Sequence, residues 1–121
     1  MRGIGIDIAE IDRLEQKQSK KGFIEVAFTS SEISELQEKK NKGEFLASRF
    51  AAKEAYMKAV GLGWSEHAEF KEIEIVKNSL GQPSVKLHGK TLTHFEQQGY
   101  QSIHLSISHT NTTAVAVVIV E

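Results

Sequence analysis

A single long helix, predicted over residues 44–63, constrains the fold more than any other stretch of the chain. The segment reads EFLASRFAAKEAYMKAVGLG, and its interior is rich in Ala, Leu, Glu, Lys and Met, which favour helix. Gly61 and Gly63 follow the last periodic residue and predict where the helix ends. We expect the rest of the chain to be arranged around this helix.

One face of this predicted helix carries an acid among small and aromatic residues. At 3.6 residues per turn, Ala47, Phe50, Ala51, Glu54 and Lys58 fall on or near that face. A Glu–Lys pair at this spacing is usually a solvated surface pair of little energetic consequence. An acid beside Ala and Phe is badly placed for simple solvation, because buried charges are rare unless they are paired or bind a metal.

The N-terminal segment predicts a β-strand with two dissimilar faces. Residues 1–9, MRGIGIDIA, alternate with period two, and the β-branched residues favour a strand. We expect Ile4, Ile6 and Ile8 to face the core. Gly3, Gly5 and Asp7 then share the other face, where two glycines indicate the close approach of another backbone or a ligand. Asp7 alternatively starts a turn or caps the next helix.

The remaining pattern alternates short helices with short strands. An apolar patch at 23–28 has little clear periodicity, and residues 62–70 read as a loop. Thr29 or Ser30 is a candidate helix cap, with Glu32 or Glu35 as the acid early in that helix. We predict helices at about 10–18, 31–40 and 90–98, strands at 72–76, 84–87 and 102–108, and a strand at 114–120 that is buried on both faces.

Composition excludes several classes of protein. The 121 residues suffice for one modest core, and their net charge of −1 argues against a general nucleic-acid binder. The chain has no cysteine, so disulfide and thiolate chemistry are excluded. It shows no apolar run long enough for a bilayer and no signal peptide, so we expect a cytoplasmic protein without membrane partners.

Three polar groups interrupt otherwise apolar elements. They are Asp7, the pair of Glu54 and Lys58, and a group between the last two strands that comprises Ser106, Ser108, His109 and Thr110. Two carboxylates from separate elements suit a hard cation such as Mg²⁺, which completes its shell with water and phosphate oxygens. Zinc fits poorly, because no two histidines stand at a helical or finger-like spacing.

The Ser-His-Thr cluster offers hydroxyls, an imidazole and backbone amides, all of which suit phosphate. A rival interpretation is a hydrolase triad of Ser106 or Ser108 with His109 and Asp7. No G-x-S-x-G signature is present, and Ser108 and His109 would point in opposite directions on a strand.

Five motifs together carry a resemblance to a known family. They are GIGIDIAEIDR at 3–13, the helix sequence at 44–63, F-x-x-I-E-I at 70–75, G-x-P at 81–83 and SISHT at 106–110. In order and separation the chain resembles the holo-[acyl-carrier-protein] synthases, the small bacterial family of 4′-phosphopantetheinyl transferases. The resemblance covers essentially the full length. It implies an α+β fold, with a single compact domain over 1–121 in which an antiparallel sheet packs around a long central helix.

The resemblance also implies an activity. The family transfers the phosphopantetheine arm of coenzyme A to a serine of apo acyl-carrier protein and releases adenosine 3′,5′-bisphosphate. By position, Asp7 and Glu54 match the magnesium ligands, and Lys58 matches the lysine beside the pyrophosphate. We expect Glu54 and Lys58 to be catalytic, with either Glu54 or a metal-held water as the base. Ser108, His109 and Thr110 match the segment that binds coenzyme A.

Partners follow from the same resemblance. Arg13 lies on the helix that meets the acidic carrier protein, and three lysines are plausible helpers: Lys17, Lys20 and Lys21. On residue pattern alone, such lysines are more often an ordinary surface. The family forms trimers, so the Ser-His-Thr segment of one chain would complete a site that holds Asp7 and Glu54 of its neighbour. The alternatives are a non-catalytic module that binds coenzyme A or a nucleotide, and a protein built only for oligomer contacts.

Overall fold

The computed structural model describes residues 1–63 and 69–121. Within these ranges the chain forms five α-helices, one short 3₁₀-helix and five β-strands. In chain order they are β1 (Gly3–Glu10), α1 (Ile11–Lys17), α2 (Phe23–Ala27), α3 (Ser30–Gln37), α4 (Lys42–Val60), the 3₁₀-helix (Phe70–Glu72), β2 (Ile73–Lys77), β3 (Pro83–Leu87), α5 (Gly89–Gln97), β4 (Ile103–His109) and β5 (Thr113–Val120).

The strands form two antiparallel sheets. One has three strands in the order β1-β5-β4, and the other is the hairpin of β2 and β3. The central strand β5 sets the register, since its Ala116 lies opposite Asp7 on one side and Ile107 on the other. The helix α4 packs on one face of this sheet. The predicted α+β fold, an antiparallel sheet around a long central helix, is therefore confirmed.

The central helix begins two residues before the predicted stretch and ends three residues before its last residue. Asn41 caps its N-terminus by accepting a hydrogen bond from the Glu44 amide at 3.0 Å. Gly61 ends it in the left-handed conformation with φ of 74°. The helix is buried around most of its circumference, because the sheet, α1, α3 and the 3₁₀-helix region surround it.

The expected inward face of β1 is wrong. Ile4, Ile6 and Ile8 are 57%, 59% and 65% exposed, whereas Gly5 and Asp7 point at the core. A Cβ at Gly3 or Gly5 would overlap a backbone carbonyl of α4, at Ala59 and Ala55 respectively. The glycine face therefore turns inward because it lets the helix backbone lie directly on the strand.

The opposite face of the sheet is apolar along β1 and β5, and no described residue outside the sheet covers it. The three isoleucines of β1 lie there beside Val115, Val117 and Ile119 of β5. Those β5 residues are half-buried, while Ala114, Ala116, Val118 and Val120 are buried. The prediction that this strand is buried on both faces is thus wrong within one chain.

The segment before α4 is more helical than predicted. The apolar patch at 23–28 contains α2, and the next helix is shorter than expected. Thr29 is its cap: the Thr29 hydroxyl accepts from the Glu32 amide, and the Glu32 carboxylate accepts from the Thr29 amide. Ile24 and Phe28 are buried, so this segment closes one end of the core.

The loop predicted at 62–70 includes Trp64 and His67, which lie outside the described residues. Its last residue, Phe70, starts the 3₁₀-helix. No helix in the two described ranges is both long enough and apolar enough to cross a membrane.

Candidate active site

Asp7 and Lys58 form the first part of a polar cluster between β1 and α4. Asp7 lies on the inward face of β1 and is 8% exposed. The Lys58 ammonium donates to Asp7 Oδ1 at 2.8 Å and to the Ile6 carbonyl at 3.1 Å. The hydrogen bond to Asp7 and the charges of Asp7 and Glu54 raise the pKa of Lys58. The ammonium is therefore anchored at one side and open to solvent at the other.

Glu54 brings a second carboxyl to the same place. Burial, a hydrogen bond with Asp7 and the Asp7 charge raise the pKa of Glu54 to about 7, and the charges of Lys58 and Lys17 oppose the shift. The structure thus brings together two acids from distant parts of the chain. The direct bond of Lys58 goes to Asp7, although the spacing predicted a pair with Glu54.

The donor set of this cluster suits one kind of metal. Among residues 1–63 and 69–121, no group of three or more His, Cys, Asp or Glu side chains could hold an ion. Asp7 and Glu54 supply oxygen ligands only, which fits a hard cation that takes one or two carboxylates and fills its shell with water and phosphate oxygens.

An open cavity of about 180 Å³ adjoins the cluster. Glu54, Met57, Lys58, Gly63 and Phe70 line it. It combines apolar surface from Met57 and Phe70 with a carboxyl and an ammonium. A chain-like substrate with a charged end would find complementary surfaces there.

Helix α1 lies close to this cluster, and Lys17 at the end of α1 interacts with two aromatic rings and the Glu54 charge. The Lys17 ammonium lies 5.4 Å from the centroid of the Phe23 ring and 5.7 Å from that of Phe50. Its charge also opposes the rise in the pKa of Glu54. Arg13, Lys20 and Lys21 are exposed nearby in the chain. Lys17 therefore acts on Glu54 through its charge and lies in the same stretch of chain as the exposed cations Arg13, Lys20 and Lys21.

The Ser-His-Thr segment lies elsewhere in the same chain. Ser108 is on the outer face of the sheet, opposite Val115, whereas Asp7 is on the inner face. His109 Nε2 lies 3.4 Å from Glu44 Oε1, near the start of α4, and the Thr110 hydroxyl accepts from the Thr112 and Thr113 amides. One chain does not bring this segment to Asp7 and Glu54. The hydrolase triad is likewise not assembled, since Asp7 is bonded to Lys58.

A second cavity, of about 360 Å³, lies between the edges of the two sheets. Asn78, Gln82, Pro83 and Ser84 line one side, and residues 103–107 of β4 line the other. Ser106 therefore borders a recess that the sequence did not predict.

Sequence reasoning also missed a buried ionic network beside the site. Lys53, the residue before Glu54, is fully buried and bonds Glu32. Glu74 accepts from the Thr29 hydroxyl and contacts His88 at 2.8 Å. The sequence offered Thr29 or Ser30 as a helix cap with Glu32 or Glu35 as the acid, but nothing in it indicated that the Glu32 side chain would also meet a lysine of α4.

These features define a class: an α+β domain with an oxygen-only pair of acids, an ammonium and an adjoining cavity, as suits a substrate with a charged phosphate group. Residues 3–118 match the family described as the 4′-phosphopantetheinyl transferase superfamily. The chain belongs to this family of transferase enzymes, and the resemblance drawn from the sequence is confirmed.

Several relatives described as holo-[acyl-carrier-protein] synthases are similar to this chain over nearly its whole length. A holo-[acyl-carrier-protein] synthase of Alkaliphilus oremlandii is 46% identical over 117 residues, which cover 96% of this chain and 95% of the relative. The crystal structure of a holo-[acyl-carrier-protein] synthase from Neisseria meningitidis has a TM-score of 0.93 at 33% identity and covers 100% of this chain and 98% of its own. The Helicobacter pylori enzyme, solved in complex with coenzyme A, has a TM-score of 0.83 at 36% identity, with 98% and 99% covered.

Proposed function

We propose that this chain transfers the 4′-phosphopantetheine group of coenzyme A to a serine of apo acyl-carrier protein, as one domain over residues 1–121. The observation that carries the proposal is the meeting of Asp7, Glu54 and Lys58 beside a cavity. Relatives with the name of this activity, and one solved with coenzyme A, support the choice of substrates. The products would be holo carrier protein and adenosine 3′,5′-bisphosphate.

The chemical step is a displacement at the β-phosphorus of the diphosphate. The serine oxygen forms a bond to that phosphorus, and the bond to the bridging oxygen breaks with its electron pair on the leaving nucleotide. Lys58 would stabilise the negative charge that develops on the bridging oxygen, because its ammonium is fixed by Asp7 and remains exposed. The serine proton would pass to Glu54 or to a metal-held water, both of which lie at the acid pair in this proposal.

Asp7 and Glu54 would hold a magnesium ion. When bound, the ion neutralises the diphosphate and stabilises charge on its oxygens. The two carboxyls fit this role, because they are the oxygen donors that share the cluster and leave further positions for phosphate and water.

The active form is proposed to be a homotrimer with sites between chains. In one chain, Ser108 lies on the outer sheet face, away from Asp7. That face also exposes Ile4, Ile6 and Ile8, an apolar surface that suits burial against another copy. Ser108, His109 and Thr110 of one copy would then bind coenzyme A beside the acids of the next.

The carrier protein is proposed to dock on α1. Arg13, Lys17, Lys20 and Lys21 present positive charge, and Lys17 connects that surface to Glu54. An acidic carrier would be steered to this side of the cavity. We place the enzyme in the cytoplasm and in fatty acid biosynthesis.

The decisive experiment mixes the protein with coenzyme A, Mg²⁺ and apo carrier protein and weighs the carrier by mass spectrometry. A gain of the mass of one phosphopantetheine group, lost when the acceptor serine is replaced by Ala, is the expected result. Binding of coenzyme A without any change in carrier mass would instead establish a non-catalytic module. Omission of Mg²⁺ in a parallel sample tests the metal requirement.

A further inference from the structure

A lysine that the proposed chemistry does not use lies directly before Glu54. Lys53 has 0% of its surface exposed. Its ammonium donates to Glu32 Oε1 at 2.8 Å, to the Phe70 carbonyl at 2.9 Å and to the Ile73 carbonyl at 2.8 Å. An ammonium has three N–H donors, so all of its donors are used.

The acceptors of Lys53 come from three separate elements. Glu32 lies in the first turn of α3 and also accepts from the Ile75 amide at 3.0 Å. Phe70 is the first residue of the 3₁₀-helix and Ile73 is the first residue of β2, so the two carbonyls lie at either end of this helical turn. Lys53 therefore ties α4 to the point where the chain enters the hairpin, and Glu32 fixes the neighbouring strand residue.

The anchored turn forms a wall of the cavity next to Glu54. Phe70 lines that cavity together with Glu54 and Lys58. Its ring stacks on Phe50 at a centroid distance of 4.9 Å. Since Lys53 and Glu54 are consecutive on one helix, the bond to the Phe70 carbonyl sets the position of this wall relative to the Glu54 carboxyl.

Stability alone is a weak reason for such a pair. A buried ion pair costs desolvation energy, and its replacement by apolar residues of similar volume is often neutral or stabilising. A long apolar side chain would suit the interior of this helix. What an apolar residue could not do is hold two backbone carbonyls at fixed distances from α4.

We propose that Lys53, neutralised by Glu32, is a positioning residue that fixes the Phe70 wall of the cavity against Glu54. This inference rests on the proposed function, because the wall would hold the reacting end of the phosphopantetheine arm. Loss of the clamp would misplace the reacting groups and lower kcat, with little effect on how coenzyme A is captured elsewhere.

The test compares Glu32→Gln alone with the double variant Lys53→Met/Glu32→Gln. The single variant keeps the Lys53 nitrogen and its two carbonyl acceptors but leaves its charge without Glu32, whereas the double variant removes the nitrogen and both charges of the pair. We expect kcat of the double variant to be about 10-fold below that of Glu32→Gln, with KM for coenzyme A within about 2-fold. Leu36→Ala, a core change in α3 away from the cavity, is the control for destabilisation.

A spectroscopic measurement reads the wall directly. In protein labelled with fluorinated phenylalanine, the Phe70 resonance is assigned by its loss in Phe70→Leu. We expect this resonance to move in the double variant and to stay in place in Glu32→Gln and Leu36→Ala. Should the double variant not fold, Lys53→Gln in the same Glu32→Gln background keeps an amide with two N–H donors, and a smaller movement is expected.

An unmoved Phe70 resonance in the folded variant lacking Lys53 would overturn the proposal, as would a kcat equal to that of Leu36→Ala at matched stability. If the wild-type protein transfers nothing to the carrier, the proposed function fails. The fluorine spectrum then still decides whether Lys53 positions the wall.

Discussion

Two neighbouring residues of α4 enter two contrasting ionic clusters. Lys53 ends in a closed cluster, where one acid and two carbonyls satisfy one ammonium in the fully buried interior. Glu54 ends in an open cluster, where two acids face one ammonium beside a cavity. Consecutive side chains of a helix point about 100° apart, so one turn of α4 serves both.

This contrast explains why the open cluster, and not the closed one, is available for a ligand. In the closed cluster Glu32 pairs directly with Lys53 and each ammonium donor has an acceptor, so no place is left for a ligand. The open cluster has a surplus acid, and the raised pKa of Glu54 shows that its own residues do not fully stabilise it. A cation and a phosphate would supply what is missing.

The largest effect should come from removing either acid of the open cluster. We expect Asp7→Ala or Glu54→Ala to lower magnesium-dependent transfer by on the order of 10³-fold while the fold survives, because both oxygen ligands are needed to hold the ion. Steady-state transfer assays with circular dichroism measure this. Glu96→Ala, at an exposed acid of α5, is the control and should keep full activity. Full activity in either site variant would remove the metal-site proposal.

Substitutions in the closed cluster should reduce the free energy of unfolding more than substitutions in the open cluster, which is the reverse of their expected effects on activity. Lys53→Met leaves the Glu32 carboxylate buried without its cation, and we expect a loss of about 3–5 kcal/mol in the free energy of unfolding. Glu54→Gln removes like-charge repulsion with Asp7, so the free energy of unfolding should change by only about 0–1 kcal/mol. Urea unfolding of both variants without metal measures the two values. Equal losses would show that the clusters do not differ as described.

The cations in and just after α1, which are Arg13, Lys17, Lys20 and Lys21, should affect docking of the carrier protein beside the open cluster and should not affect the closed cluster. We expect Arg13→Glu to raise KM for the carrier protein about 10-fold, since it reverses an attraction for an acidic partner, and to leave KM for coenzyme A unchanged. Carrier titrations at low and high salt would show the difference shrinking as charges are screened. Lys77→Glu, at an exposed lysine of the β2–β3 hairpin, is the matched control. An unaltered carrier KM would count against docking on α1.

The smallest effect is a pH dependence of the open cluster in the metal-free protein. The pKa of Glu54 is raised in the folded state from 4.5 to about 7, so the folded chain binds more protons between these values. The associated stability is fully present below pH 4.5 and is lost as pH rises through about 7. After allowance for solvent screening we expect a decline on the order of 1 kcal/mol. Urea unfolding at several pH values measures it, and Glu54→Gln should flatten this part of the profile.

Local sequence patterns predicted most helices and strands but not α2, and they misjudged the buried faces of β1 and β5. The long helix, the hairpin and the Thr29 cap were visible because spacing and turn residues report local structure. The face of β1 was misjudged, since three isoleucines normally mark a core. Here the two glycines decided, because α4 could approach the strand only over residues without side chains.

The candidate site was predicted in part for a similar reason. Asp7, Glu54 and Lys58 stood out as polar residues within apolar patterns, and the structure brings them together. Lys53 did not stand out, because a lysine in a helix usually reaches solvent. Its partners at Glu32, Phe70 and Ile73 come from distant parts of the chain, and no local pattern encodes such a meeting.

Local sequence was enough to locate most helices and strands, the motifs that the chain shares with its family and the charged residues. The packing of distant segments was needed to show that Lys53 is buried in the interior while Glu54 lines a cavity. It also decided that the isoleucines of β1 face outward. The reason is that local patterns depend on neighbours a few residues apart, whereas burial and ion pairing depend on which distant segments pack together.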